Sequence, residues 1–193
     1  MARPQGVVPP DPPLTDGRVA LRAARESDLQ GLVEEGGDPE TQRWVNVARP
    51  YTDRDGRDDL ERFTSWWDDP SAPFPLVIAD ADSDAYLGVI VVRLDGPRRI
   101  AELGYGVHPR ARGSGIGTRA VRLAARWAFA ALGAERLEAR TDPGNVASQR
   151  LLARAGFTRE GLERMSRVTN GVRADMICWS LLPGDVADPI PSG

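Results

Sequence analysis

The chain has 193 residues, 41% hydrophobic and 27% charged, which suits one α/β domain with a sizeable core and is short for two. Its net charge of −3 gives no global attraction to nucleic acid, and no apolar run approaches the roughly 20 residues that cross a bilayer. All 25 basic residues are arginine, and His108 and Cys178 stand alone of their kinds, so a Schiff-base or P-loop lysine, a Cys/His zinc site and an intrachain disulfide are excluded.

The expected compartment is the cytoplasm, since no signal-peptide h-region opens the chain. Residues 1–14 are Pro-rich and residues 183–193 Pro/Gly-rich; both read as flexible tails around a single domain over 15–182. Arg18–Arg22 alternates as a strand, and Ser27-Asp28 caps a helix over about 28–36. Pro39 opens a second helix toward Trp44, and Leu60, Phe63 and Trp67 mark a third. Pro75–Ala79 and Tyr86–Leu94 form a hairpin, followed by a strand over Ile100–His108. A long amphipathic helix carries Ala120, Val121, Ala124, Trp127 and Ala128, with Gly133 just past its end. A strand over Arg136–Thr141 leads to a short helix from Asn145 to Gly156. Two last strands flank the turn Asn170-Gly171. Cys178, within Met176-Ile177-Cys178-Trp179, reads as a small core residue. The fold class is α/β, with a mixed sheet flanked by helices.

The chemistry concentrates between the strand ending at His108 and the long helix. Gly113, Gly115 and Gly117 alternate there and leave backbone amides bare at a helix N-terminus, where the dipole is positive. Arg110, Arg112, Arg119 and Arg122 add cations nearby, as an anionic pyrophosphate requires. A Rossmann fingerprint fits less well, because Thr118 stands where its third glycine would fall. The alternative is a tight turn whose glycines serve geometry alone.

The run Arg112-Gly113-Ser114-Gly115-Ile116-Gly117 resembles the Arg/Gln-x-x-Gly-x-Gly/Ala motif of the GNAT (Gcn5-related) N-acetyltransferases. The block from Asn145 through Ser148 to Gly156-Phe157 is similar to that family's second motif. The segments Val19–Arg22, Arg43-Trp44 and Asn170-Gly171 resemble its RimJ/RimL-like branch. The resemblance spans roughly residues 18–182. It implies a GNAT fold whose central strands, Glu102–His108 and Arg136–Thr141, splay to hold acetyl-CoA, with no metal.

By the same resemblance, main-chain groups at Gly106 and Val107 hold the pantetheine and serve the oxyanion, and Arg112, Gly113, Ser114, Gly115, Ile116 and Gly117 hold the pyrophosphate. Asn145 matches a pantetheine contact and also suits a helix N-cap. Ser148 matches a serine near the CoA sulfur, and its plain alternative is a locally bonded helix serine. Glu102 and Glu138 are the candidate bases, each equally readable as a salt-bridged face residue. Two positions depart from the family: Arg167 stands where RimL-like enzymes carry an acid, and Leu152 where many members carry a general-acid tyrosine. Trp44, Trp66 and Trp67 lie on the acceptor side, as pocket lining or as packing. His108, followed by Pro109, reads as a strand end more than a base.

The reading is an N-acetyltransferase acting on a primary amine, either a protein N-terminus or a small molecule, by direct attack in a ternary complex. The alternatives are a non-catalytic acyl-CoA-binding module, a succinyl-CoA user, and a nucleotide-binding regulator. The expected partners are the amine acceptor and, as is common in the family, a second copy in a homodimer; neither nucleic acid nor membrane is expected.

Overall fold

Side chains at alternate strand positions fall on opposite sheet faces, and this divides the interior in two. The computed structural model describes residues 6–186; the expected tail segments 1–5 and 187–193 lie outside the described residues. In chain order the elements are β1 (Leu14–Thr15), β2 (Val19–Arg22), α1 (Leu29–Gly37), α2 (Pro39–Trp44), α3 (Asp53–Ser65), β3 (Phe74–Asp80), β4 (Tyr86–Asp95) and β5 (Ile100–Val107). After them come α4 (Ile116–Ala131), β6 (Arg136–Thr141), α5 (Val146–Ala155), β7 (Thr158–Thr169) and β8 (Val172–Leu181).

Val19 and Leu21 of β2, with Phe74, Leu76 and Ile78 of β3, face the apolar stripe of α4 and the α5 residues Leu152 and Ala155. Their alternates Ala20, Val77 and Ala79 face Leu32 of α1 and Leu60 and Phe63 of α3. Local signals set the helix ends. Asp38 caps α2 ahead of Pro39, Thr52 and Asp55 form a capping box on α3, and α5 stops at Gly156 with φ 103°. Where β2 meets α1, Arg22 and Asp28 are almost fully buried and joined by two hydrogen bonds of 2.8 and 2.9 Å.

The sheet order is β1-β2-β3-β4-β5-β6-β8-β7, and every pair is antiparallel except β5–β6. That parallel pair registers Ile100 with Arg136, Ala101 with Leu137 and Glu102 with Glu138, and no further. β5 runs on to Val107 and β6 to Thr141, so the two strands fork and leave unpaired backbone edges facing each other.

Two local features differ from the sequence reading. Cys178 is only partly buried, because it falls on the β8 face that meets Glu163 of β7 instead of the core. The two-residue strand β1 carries too little pattern to be foreseen. Within the expected tails, Val7, Leu14 and Val186 pack against the main core.

Candidate active site

The three alternating glycines do different work. Gly113 and Gly115 have φ of 75° and 83°, and a Cβ on either would meet nothing within 4 Å. Their demand is conformational, and the space beside them is open. Gly117 is a packing glycine: a Cβ there would lie 2.5 Å from Leu151 Cδ1 and 3.1 Å from Val107 Cγ2. Its bareness lets α4 seat against α5 and β5. Gly115 is the N-cap of α4 and offers no side-chain acceptor to the first-turn amides. Ser114 Oγ donates to the Ala111 carbonyl at 2.6 Å, and buried Ile116 roots the first turn in the core.

The arginines placed beside this loop are already engaged. Arg112 donates to Asp38 Oδ2 at 2.6 Å, to Thr41 Oγ1 at 2.9 Å and to the Val107 carbonyl at 3.1 Å, which clamps α2 to the end of β5. Arg110 reaches the Tyr86 carbonyl, Arg119 pairs with Asp16, and Arg122 reaches the Arg154 carbonyl. The cations that line the cleft with Arg112 are instead Arg150 and Arg154 of α5. Sequence reasoning missed them because they lie more than thirty residues downstream of the loop they face.

Two cavities meet at the fork. One, of about 380 Å³, runs from the glycine loop along Val107 and Leu151. The other, of about 670 Å³, opens under α1 and α3 and is walled by Tyr51, Trp66 and Asp58. Trp44, Tyr105, Gly106, Asn145 and Ser148 border both. Asn145 caps α5, its Oδ1 accepting from the Ser148 amide at 3.0 Å. Ser148 Oγ lies 2.8 Å from the Tyr105 hydroxyl, whose pKa burial pushes up to about 12. Tyr105 therefore stays protonated and can keep a proton available to Ser148. Strand alternation alone could not reveal this pairing across 43 residues.

The two expected bases are not brought to either cavity. Glu102 is gripped by Arg140 at 3.1 Å and by Arg167, while Glu138 takes Arg136 at 3.0 Å and Arg140 at 3.5 Å. At the crotch of the fork their side chains meet the arginines that alternate with them on β6 and β7. Arg140 and Arg167 do line the larger cavity. His108 is buried, with Nε2 3.1 Å from Glu34 Oε2 and Nδ1 accepting from the Arg110 amide, so it ends the strand as expected. Of the tryptophans, Trp44 and Trp66 line the larger cavity, whereas Trp67 packs on Phe74 and Trp127.

Among the carboxylates lining the larger cavity, Glu35 of α1 is the buried one, 5% exposed, with Oε2 accepting from the Tyr86 hydroxyl at 2.7 Å. Burial raises its pKa to about 7, against partial relief from the Tyr86 bond and Arg112. A carboxyl raised on folding favours the folded state at low pH, and that contribution disappears as pH climbs from its unfolded value through about 7. Glu35→Gln is therefore expected to be more stable than the parent above pH 7, by about 3 kcal/mol, and to match it near pH 4. Urea melts at both values check this; equal differences at the two would contradict it.

A glycine-opened helix start at the mouth of a forked sheet, with a second cavity meeting it at the fork, is the architecture of an acyl-transfer site. Residues 18–158 match the Acetyltransferase (GNAT) domain family, and the chain belongs to that family of acyl-CoA-dependent N-acetyltransferases. It is 28% identical over 173 residues to the uncharacterized N-acetyltransferase p20 of Bacillus licheniformis, across 88% of this chain and 96% of p20. Among solved structures it is similar to Mycobacterium smegmatis RimJ in complex with CoA-disulfide, with a TM-score of 0.79 at 20% identity over 100% of this chain and 93% of that one. It is also similar to Vibrio cholerae spermidine N-acetyltransferase in complex with CoA and spermine, with a TM-score of 0.73 at 20% identity over 89% and 99% of the two chains. At 20% identity, the likeness to RimJ and to the spermidine enzyme is one of fold. Among the described residues no helix is long and apolar enough to cross a membrane, and no cluster of His, Cys, Asp and Glu could hold a metal ion.

Proposed function

We propose that the domain spanning 15–182 transfers the acetyl group of acetyl-CoA to a primary amine by direct attack in a ternary complex. The observation that carries this reading is the fork: β5 and β6 pair over three residues and then part. The open β5 edge from Leu103 to Val107 leads to the bare first turn of α4. An extended amide-bearing arm fits that edge, and a pyrophosphate fits the amides of Gly113 to Gly117. Arg150 and Arg154 supply positive charge on the facing wall, and Asn145 offers its amide nitrogen to the arm.

In the transfer, the amine enters through the larger cavity and forms a C–N bond at the thioester carbon, whose oxygen is held by a main-chain amide near Gly106. The C–S bond breaks beside Ser148, which gives the thiolate its proton and is resupplied by Tyr105. Arg140 and Arg167 are both engaged by Glu102, which supports acetyl over a carboxylated acyl chain such as succinyl.

Thermal-shift titration tests the donor. Acetyl-CoA and CoA are expected to raise Tm saturably while ATP and NAD do not; a shift with the nucleotides alone would overturn the reading. Ser148→Ala is expected to lower kcat on the order of 10- to 100-fold with acetyl-CoA affinity unchanged. An unaltered kcat would remove Ser148 from thiol protonation.

A further inference from the structure

A buried carboxyl normally finds a cation, and this chain has 25 arginines to offer. Glu102, Glu138, Glu160 and Glu163 all take one. Glu35 does not: among the described residues no arginine forms a salt bridge with it, and Arg112 acts on it only through space. One oxygen, Oε2, is held by Tyr86, which fixes the plane of the carboxyl. The other, Oε1, has no hydrogen-bond donor among the described residues. It presses on Gly106, where any Cβ would collide with it. Gly106 borders both cavities, so Oε1 stands beside the place where they meet. The rim above is acidic, with Asp55, Asp58 and Asp59 of α3 in the cavity wall, and it draws a cation inward.

We infer that Glu35 is the general base of this transferase, accepting a proton from the ammonium form of the acceptor at Oε1; the inference rests on the acetyl-transfer reading above. An alkyl ammonium brings three protons. One stays on the amide nitrogen, and one passes to Glu35 before attack. The third passes from nitrogen to water as the C–S bond breaks, while Ser148 gives the thiolate its proton and the Ser148–Tyr105 pair regains one from water. Glu35 then releases its own to solvent. The net change is amine cation plus thioester giving amide, thiol and one free proton.

Its surroundings suit the task. The groups facing it are Tyr86 from β4, Arg112, and Asp38 at the start of α2, with His108 packed edge-on to the Tyr86 ring. A pKa near 7 leaves a useful anionic fraction at neutral pH and still binds a proton well. Gly106 is part of the same device, since only a residue without a side chain lets the carboxyl reach the β5 backbone.

The test compares two kinds of nucleophile. Spermidine and an alanine tripeptide arrive as ammonium cations, whereas hydroxylamine is largely neutral at neutral pH and needs no base to expose its lone pair. Glu35→Gln is expected to lose on the order of 100-fold or more in kcat/KM toward whichever cationic acceptor the parent uses. It is expected to keep transfer to hydroxylamine within a few-fold and acetyl-CoA affinity by calorimetry. The parent's kcat/KM should rise with pH through about 7, and the variant should lose that step. Tyr86→Phe, which removes the bond that favours the anion, should move the step upward. An unchanged profile and rate in Glu35→Gln, or equal losses toward both nucleophiles, would overturn the base assignment and leave the acetyl-transfer reading standing. A parent that binds acetyl-CoA but acetylates no cationic amine also overturns the assignment. A parent that does not bind acetyl-CoA overturns the reading beneath it.

Discussion

Arg22→Met is expected to lower the free energy of unfolding by about 3–5 kcal/mol. The substitution keeps most of the side-chain volume and removes the charge together with its hydrogen-bond donors. Arg22 is 2% exposed and Asp28 1%, and the guanidinium spans Asp28 in a two-pronged contact while Nε reaches Asp84 at 2.6 Å. Without it, the Asp28 carboxylate is left buried with only the Arg25 amide, at 2.8 Å, as its remaining donor. The cost comes from that stranded charge more than from the lost attraction. A second variant separates the two: Arg22→Met with Asp28→Leu should recover most of the loss, because a pair of apolar residues needs no compensation. Urea denaturation of parent, single and double variants reads this directly. Equal losses in the single and the double would mean that packing at the junction of β2 and α1, not charge, is what matters there.

Gly115→Ala is expected to weaken acetyl-CoA binding on the order of 100-fold, equivalent to about 3 kcal/mol. Two effects combine. A left-handed backbone costs a residue with a Cβ about 1–2 kcal/mol, and relaxing that strain turns the first-turn amides of α4 away from the phosphate they would bind. The methyl group also enters the open space beside the loop. Gly17 supplies the control. Its φ is 85° and a Cβ there also meets nothing within 4 Å, but it sits in the turn before β2, outside both cavities. Gly17→Ala should therefore cost similar stability and leave acetyl-CoA affinity intact. Calorimetric titration of both variants decides the matter. Equal affinities in Gly115→Ala and the parent would place the phosphate elsewhere.

Patterns with a short period were legible in the chain. The helix over 116–131, the hairpin around Asn170-Gly171 and the glycine loop are all written within a dozen or so neighbouring residues, where periodicity and caps report directly. The fork was available only through family resemblance, because nothing in β5 or β6 alone marks where their pairing stops. Contacts between distant residues were harder. Glu102 and Glu138 looked available as bases because Arg140 and Arg167 are brought to them only by folding. In sequence Glu35 is one more acidic residue beside Glu34, since its burial depends on Tyr86, 51 residues away. Tyr105 was hidden for the same reason. Position 152 is leucine here, and the tyrosine that meets Ser148 comes from β5 instead.

The brevity of the β5–β6 contact also bears on how the molecule comes apart. Among the described residues, three registered residue pairs are the only ladder joining the half-sheet β1–β5 to the half-sheet β6–β8. Such a seam is where cooperativity is weakest, so the β7–β8 hairpin and its neighbour should exchange their amide hydrogens through openings that leave the rest of the sheet closed. A ligand lying along both open edges bridges this seam much as an inserted strand would. On binding it, the two halves should begin to exchange and melt as one unit, so that the molecule becomes mechanically whole only when loaded.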